Sequence, residues 1–327
     1  MLTRRTRGLL AAAAITVAPL GGHVGTDPPP PPGVPDAYLP LVKIHRYRMS
    51  GHIRPLLFWI SRDDVGDGRL AWRKGEDGAA GWDFVIGTDP ARAPRRLNRW
   101  GYIAEQAKTD RGDLFAMISS EEEDSLGEVN DNADKGTTGG GEFKAVLGRV
   151  AGGVAEARVR RVRTPDVMTI GDLDTLLALA QTELDRVDLK TVDLPPGVRP
   201  GFLAAVAEMV DASISTHRMG VADAGRRTAA VQYVFGDKLY DLTLTSARRL
   251  TEFRDSDRRY TNVVKAKFEI RTLATGAKTD FELVYGAEGD LAGVPVLIAF
   301  QPRWWLKVAL HLDDDRDTVV AGRSHRP

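Results

Sequence analysis

Cysteine is absent from all 327 residues, which excludes disulfides, thiol nucleophiles, cysteine-ligated zinc and lipid attachment through an N-terminal cysteine. Net charge is absent too. The 45 basic side chains are matched by 45 acidic ones, so no overall field steers the chain to nucleic acid. No apolar run reaches the ~20 residues needed to span a bilayer. Aromatic residues make up only 7% of the chain, although 43% of it is hydrophobic, enough for a proper core. Catalytic signatures are missing as well: the chain has no G-x-S-x-G, no H-E-x-x-H and no G-x-x-x-x-G-K. Gly136 to Gly141 resemble a phosphate loop in composition alone, because Glu142 and Phe143 stand where Lys and Ser or Thr are required. The histidines are dispersed. His45 and His52 fall on opposite faces of an unbroken strand, and His311 alternates with apolar residues as a solvent-face position.

What is present begins at the N-terminus. Arg4, Arg5 and Arg7 precede an uncharged run from Gly8 to Leu20, and Gly21 and Gly22 follow. That is the layout of a secretory signal over residues 1–25, with Thr3-Arg4-Arg5 resembling a twin-arginine start. The expected location is therefore periplasmic or secreted, with no transmembrane segment in the mature chain. Pro28 to Pro32, with Gly33 and Pro35, form a stiff tether over residues 26–37.

The body reads as α+β. Strand-like segments at 41–48, 55–61, 70–73, 82–87 and 100–105 lie in an N-terminal β-rich region, 38–165. Residues 119–141 interrupt it with Glu121, Glu122, Glu123 and Asp124 and a glycine-rich end, too polar to offset the cost of ordering. Asn130, Asn132 and Asp134 have the spacing of a calcium loop. The glycine comes one residue late, however, and Gly141 takes the place of the bidentate Glu, so a solvated loop is expected.

A helical segment, 166–215, follows. Thr169 and Asp172 form a capping box, and Leu173, Leu176, Leu177, Ala180, Leu184 and Val187 continue at helical spacing. A second helix, 201–212, carries Phe202, Val206, Met209 and Val210. The C-terminal region, 216–316, shows the clearest alternation: Val264, Ala266, Phe268 and Ile270 are interleaved with Lys265, Lys267, Glu269 and Arg271. Segments 240–244, 281–285, 294–300 and 304–312 repeat it, leaving 317–327 as a tail. The expected fold is mainly antiparallel β, a curved sheet or half-open barrel covered by two helices.

The run Leu291-Ala292-Gly293-Val294-Pro295-Val296, with Phe300-Gln301-Pro302-Arg303-Trp304-Trp305-Leu306 after it, resembles the closing hairpin of uncharacterised exported bacterial β-rich proteins. Through them it is similar to the half-open barrels of lipoprotein-carrier type. The likeness covers residues 225–315, has no specific motif and brings no catalytic residue. It implies a concave apolar face able to hold an acyl chain.

Two functional expectations follow. The first is a non-enzymatic envelope protein that needs no cofactor or metal and binds an apolar or amphipathic ligand, a lipid or lipoprotein, between the sheet and both helices. Its cavity would be lined by Phe268, Ile270, Leu283, Ile298, Leu306 and Leu310. The second is a glycan-directed enzyme or binding module built on Trp59, Trp72, Trp82 and Trp100, with Arg62, Asp63, Asp64, Arg99, Trp100 and Glu105 as its polar and aromatic site. Hydrolysis would need two of the carboxylates Asp63, Asp64 and Glu105 across a cleft, about 5–10 Å apart. On a strand, Arg99, Ile103 and Glu105 share one face and Trp100, Tyr102 and Ala104 the other, so an ionic contact beneath the sheet is the competing role for Arg99 and Glu105.

Overall fold

The computed structural model describes residues 39–53, 60–109, 111–119, 141–218, 229–303 and 306–313. The signal, tether and tail lie outside those residues, as do Trp59, Trp304, Trp305 and the acidic loop between Ser119 and Gly141 with its calcium-like oxygens. The first strands are β1 (Leu41–Ile53), β2 (Ile60–Lys74), β3 (Ala80–Thr88), β4 (Trp100–Lys108), β5 (Arg111–Ser119), β6 (Glu142–Ala151) and β7 (Val154–Arg163). Helix α1 (Leu173–Leu184), strand β8 (Lys190–Asp193) and helix α2 (Phe202–Arg218) come next. The chain ends with β9 (Ala229–Phe235), β10 (Lys238–Asp255), β11 (Arg258–Thr272), β12 (Lys278–Gly286), β13 (Pro295–Arg303) and β14 (Leu306–Leu312).

These strands form one antiparallel sheet of 14, in the order β8-β7-β6-β5-β4-β3-β2-β1-β14-β13-β12-β11-β10-β9. The N-terminal and C-terminal β regions are thus halves of a single sheet, joined where Tyr47 faces Leu312 and Ile53 faces Leu306. Register shifts at Met49/Gly51, Leu244/Ser246 and Phe300/Arg303 add local bend and twist to the strands. The sheet curls far enough for its edges to meet. Arg199, after β8, donates its amide to Gln232 O of β9 at 2.8 Å, and Lys190 of β8 reaches Asp237 at 2.8 Å.

The two helices lie on opposite faces. On β4, Trp100, Tyr102 and Ala104 are buried in one cluster with Leu176, Leu177, Ala180 and Leu184 of α1. Glu105, one position out of phase, points to the other side and receives the start of α2. Helix α2 buries Ala205, Met209, Val210 and Ile214 against Tyr233, Leu242, Phe268, Leu283 and Tyr285 on the concave side. The expected single face shared by both helices is not formed, because the strand period of two sends alternate apolar residues of β4 and β5 to each side.

Local signals behave as chemistry dictates. The Asp172 carboxylate accepts from Thr169 N at 2.8 Å, and Thr169 Oγ1 accepts from Gly171 N at 3.2 Å, closing the capping box on a short turn that leads into α1. Helix α2 runs six residues past the expected end at 212, since Ile214 repeats the position of Val210 and is buried at 5% exposure. His45 and His52 do fall on opposite faces, His45 buried and His52 bonded to Ser61 Oγ at 2.7 Å.

Candidate functional site

An apolar groove of about 400 Å³ opens on the concave side, within the ~300–1,000 Å³ of small-molecule sites. Its floor begins with Trp72 and Trp82, direct neighbours across the β2–β3 ladder, with Leu70 beside them. His45, fully buried on β1, stands edge-on to Trp72 with ring centroids 5.1 Å apart. The opposite wall is α2. Leu203, Val206, Ala207 and Val210 recur at helical spacing and line the groove, while Ala205, Met209 and Ile214 hold the same helix to the core. The third wall is the segment between β12 and β13, with Asp290, Gly293 and Val294.

The start of α2 is set by a buried acid. Glu105, 3% exposed, accepts from Phe202 N at 2.8 Å and Ala204 N at 3.0 Å, amides that the helix itself cannot satisfy. Burial raises its carboxyl to about 7, against the lowering by three backbone amides. Gly201 is required at this contact, since a Cβ there would collide with the carboxylate. Gly112 is required alongside it, because its Cβ would lie 2.5 Å from Pro200. Helix α2 is therefore anchored at its first turn by β4 and β5 and along its length by β9 to β12.

Four charged residues line the groove. Arg73 is committed to Asp83 at 2.8 Å and to Leu39 O at 3.0 Å. Lys43 Nζ donates to Asp290 O at 3.1 Å. The Asp211 carboxylate, exposed at the edge of the groove, is pushed above its ordinary range by desolvation.

The expected apolar residues are distributed between two clusters. Phe268, Ile270, Leu283 and Ile298 pack in the cluster of α2, and Leu283 alone of the six also lines the groove. Leu306 and Leu310 belong to a second cluster, with Tyr47, Met49 and Val296. Phe268, Leu283, Leu306 and Leu310 are buried there, and Ile270 and Ile298 are half-buried.

The polar and aromatic set is not brought together. Arg62, Asp63 and Asp64 are exposed on β2, where Asp64 pairs with Arg92 at 2.6 Å. Arg99 donates to Asn98 O at 3.1 Å. Trp100 is buried on the α1 side, its indole N–H on Met168 O at 3.2 Å, whereas Glu105 is enclosed on the α2 side. One ligand cannot touch both Trp100 and Glu105 across the sheet. Among the described residues no three acids or histidines are placed to hold a metal ion, and no helix is long and apolar enough to cross a membrane.

Sequence reasoning named Trp72 and Trp82 but not their pairing. Both stand five residues from Asp77, in the turn Gly75–Gly78, and a hairpin centred there sets them opposite each other. The groove stripe on α2 has no comparable signal, because its residues look like an ordinary apolar face.

No family model and no curated protein matches the chain. Among solved structures it is similar to a β-barrel-like protein of the domain of unknown function DUF1849 from Brucella abortus. That likeness covers 84% of this chain and 98% of the other, with 9% identity and a TM-score of 0.38.

Proposed function

We propose that this is a non-enzymatic, exported envelope protein that holds an apolar or amphipathic molecule between α2 and the concave side of the sheet, with α2 as the roof. The observation that carries the reading is the groove: two paired indoles facing a helical stripe of Leu203, Val206, Ala207 and Val210, with few charged groups at its edge. Such a surface gains by covering apolar area, about 25 cal/mol per Å². The proposed export rests on Arg4, Arg5 and Arg7 ahead of the apolar run Gly8 to Leu20.

Native mass spectrometry of the protein after mild extraction, joined to tryptophan-fluorescence titration with twelve-carbon amphiphiles, tests the reading. The wild-type protein is expected to carry a bound molecule or to titrate saturably. Ala207→Trp, which fills the groove from the helix side, is expected to abolish both while the melting temperature holds. A wild-type protein that carries nothing and titrates with nothing overturns the proposal.

A further inference from the structure

Resting on the reading of the groove as a ligand site, we infer that its ligand is a cationic amphiphile: an apolar stem lying along Trp72, Trp82 and Val206, ending in an amine or quaternary ammonium group that meets Asp211. The argument is charge complementarity. Of the two bases that line the groove, Arg73 is neutralised by Asp83 at 2.8 Å on a site of its own, both side chains almost wholly buried. Lys43 remains, and it gives a hydrogen bond to the backbone oxygen of Asp290 rather than to a carboxylate. Asp211 and Asp290 make no ion pair with any described residue. Two carboxylates thus stand against one uncommitted ammonium, and the surplus is negative.

Asp211 has the right position for the headgroup. It follows Val210 on α2, so its backbone is fixed by a residue that belongs to both the core and the groove. The groove wall strips part of its water, and no cation lies near enough to lower its carboxyl again. A desolvated carboxylate without a counter-charge is unfavourable, and a ligand ammonium would relieve it. An anionic head would add a third negative charge, and a neutral head would leave Asp211 as it is.

The test uses full-length protein and three amphiphiles of equal chain length, each below its micelle concentration: dodecyltrimethylammonium, dodecyl maltoside and dodecanoate. Tryptophan fluorescence is read in wild type and in Asp211→Asn. The ammonium compound is expected to bind about three- to fivefold more tightly than the neutral one, the scale of a partly exposed ion pair. Asp211→Asn is expected to abolish that preference, leaving affinity for the maltoside and the melting temperature unchanged. The preference is expected to shrink in high salt and to fade as pH falls through the raised range of Asp211; Lys43, Arg73 and Asp290 are the other charged groups on the groove wall. Equal binding of all three compounds, or a preference for dodecanoate, overturns the inference and leaves the groove a ligand site. Binding of none overturns the ligand site itself.

Discussion

Glu105 and Phe202 are 97 residues apart in sequence and joined by a hydrogen bond of 2.8 Å, from the amide that opens α2 to a carboxylate of β4. A strand residue thereby does the work that an Asp or Ser at the helix N-cap does elsewhere. It also fixes where the groove wall begins, since Leu203 is the first residue of that wall and its amide also bonds to the carboxylate.

The buried position of Glu105 makes folding pH-dependent. Its carboxyl rises from 4.5 when exposed to about 7 in the folded chain. Between those values the folded protein holds a proton that the unfolded chain has released. Its contribution is therefore fully present below about pH 4.5 and declines until about pH 7. The scale is ~3 kcal/mol for a shift of that size. Glu105→Gln stays neutral and can still accept from the Phe202 amide. Urea unfolding at pH 4.5 and at pH 7.5 is expected to show the wild type losing about 3 kcal/mol relative to Glu105→Gln. Parallel pH profiles for the two proteins would contradict the account.

Much of this fold is legible residue by residue. The alternation of Val264, Ala266, Phe268 and Ile270 with Lys265, Lys267, Glu269 and Arg271 is that of a strand with one apolar side, and β11 is that strand. Thr169 and Asp172 announced the turn that leads into α1 by a short-range bond. The strand β5 escaped notice because Leu114 and Ala116 face the concave side while Phe115 and Met117 face α1, so no alternation marks it. The pairing of β1 with β14 has no local signature at all, since its partners stand more than 250 residues apart. The groove escaped for the same reason: its walls come from β2, β3, α2 and the segment before β13, and each piece alone looks like core or turn.

A buried ion pair marks the outer side of the groove floor. Arg73 of β2 and Asp83 of β3 pair diagonally across the ladder at 2.8 Å, with side-chain exposures of 2% and 1%. Losing one partner leaves a buried charge without its counterpart, whereas losing both leaves apolar groups that pack. Arg73→Met or Asp83→Leu alone is expected to cost about 3–5 kcal/mol. The double variant is expected to recover most of that loss in the same unfolding assay. Arg73→Met also gives up the bond to Leu39 O, so limited proteolysis is expected to cut near residue 39 sooner. Additive losses in the double variant would show that the pair is not coupled.

One like-charge contact runs against stability. Lys144 of β6 lies directly across from Arg161 of β7 and, on its other side, from Ile118 of β5. It makes no ion pair among the described residues; Asp237 close by is engaged by Lys190 at 2.8 Å. Burial first, then the nearby Lys238, Arg161 and Lys190, lower its pKa below the ordinary lysine range, against the pull of Asp237. The charged form is thus disfavoured in the folded state, and stability gained from this group rises as pH climbs from the lowered value to the unfolded one. Lys144→Met keeps the length of the side chain and removes the charge, and it is expected to stabilise the protein at pH 7 by about 0.5–1 kcal/mol, the scale of a cross-strand charge pair. Calorimetry at two salt concentrations separates the causes. A gain that shrinks in high salt comes from repulsion by Arg161 and Lys238, and a gain that persists comes from desolvation of the ammonium. A loss of stability in both conditions would mean that the cluster is already neutralised by a bound anion or by charge supplied from elsewhere in the chain.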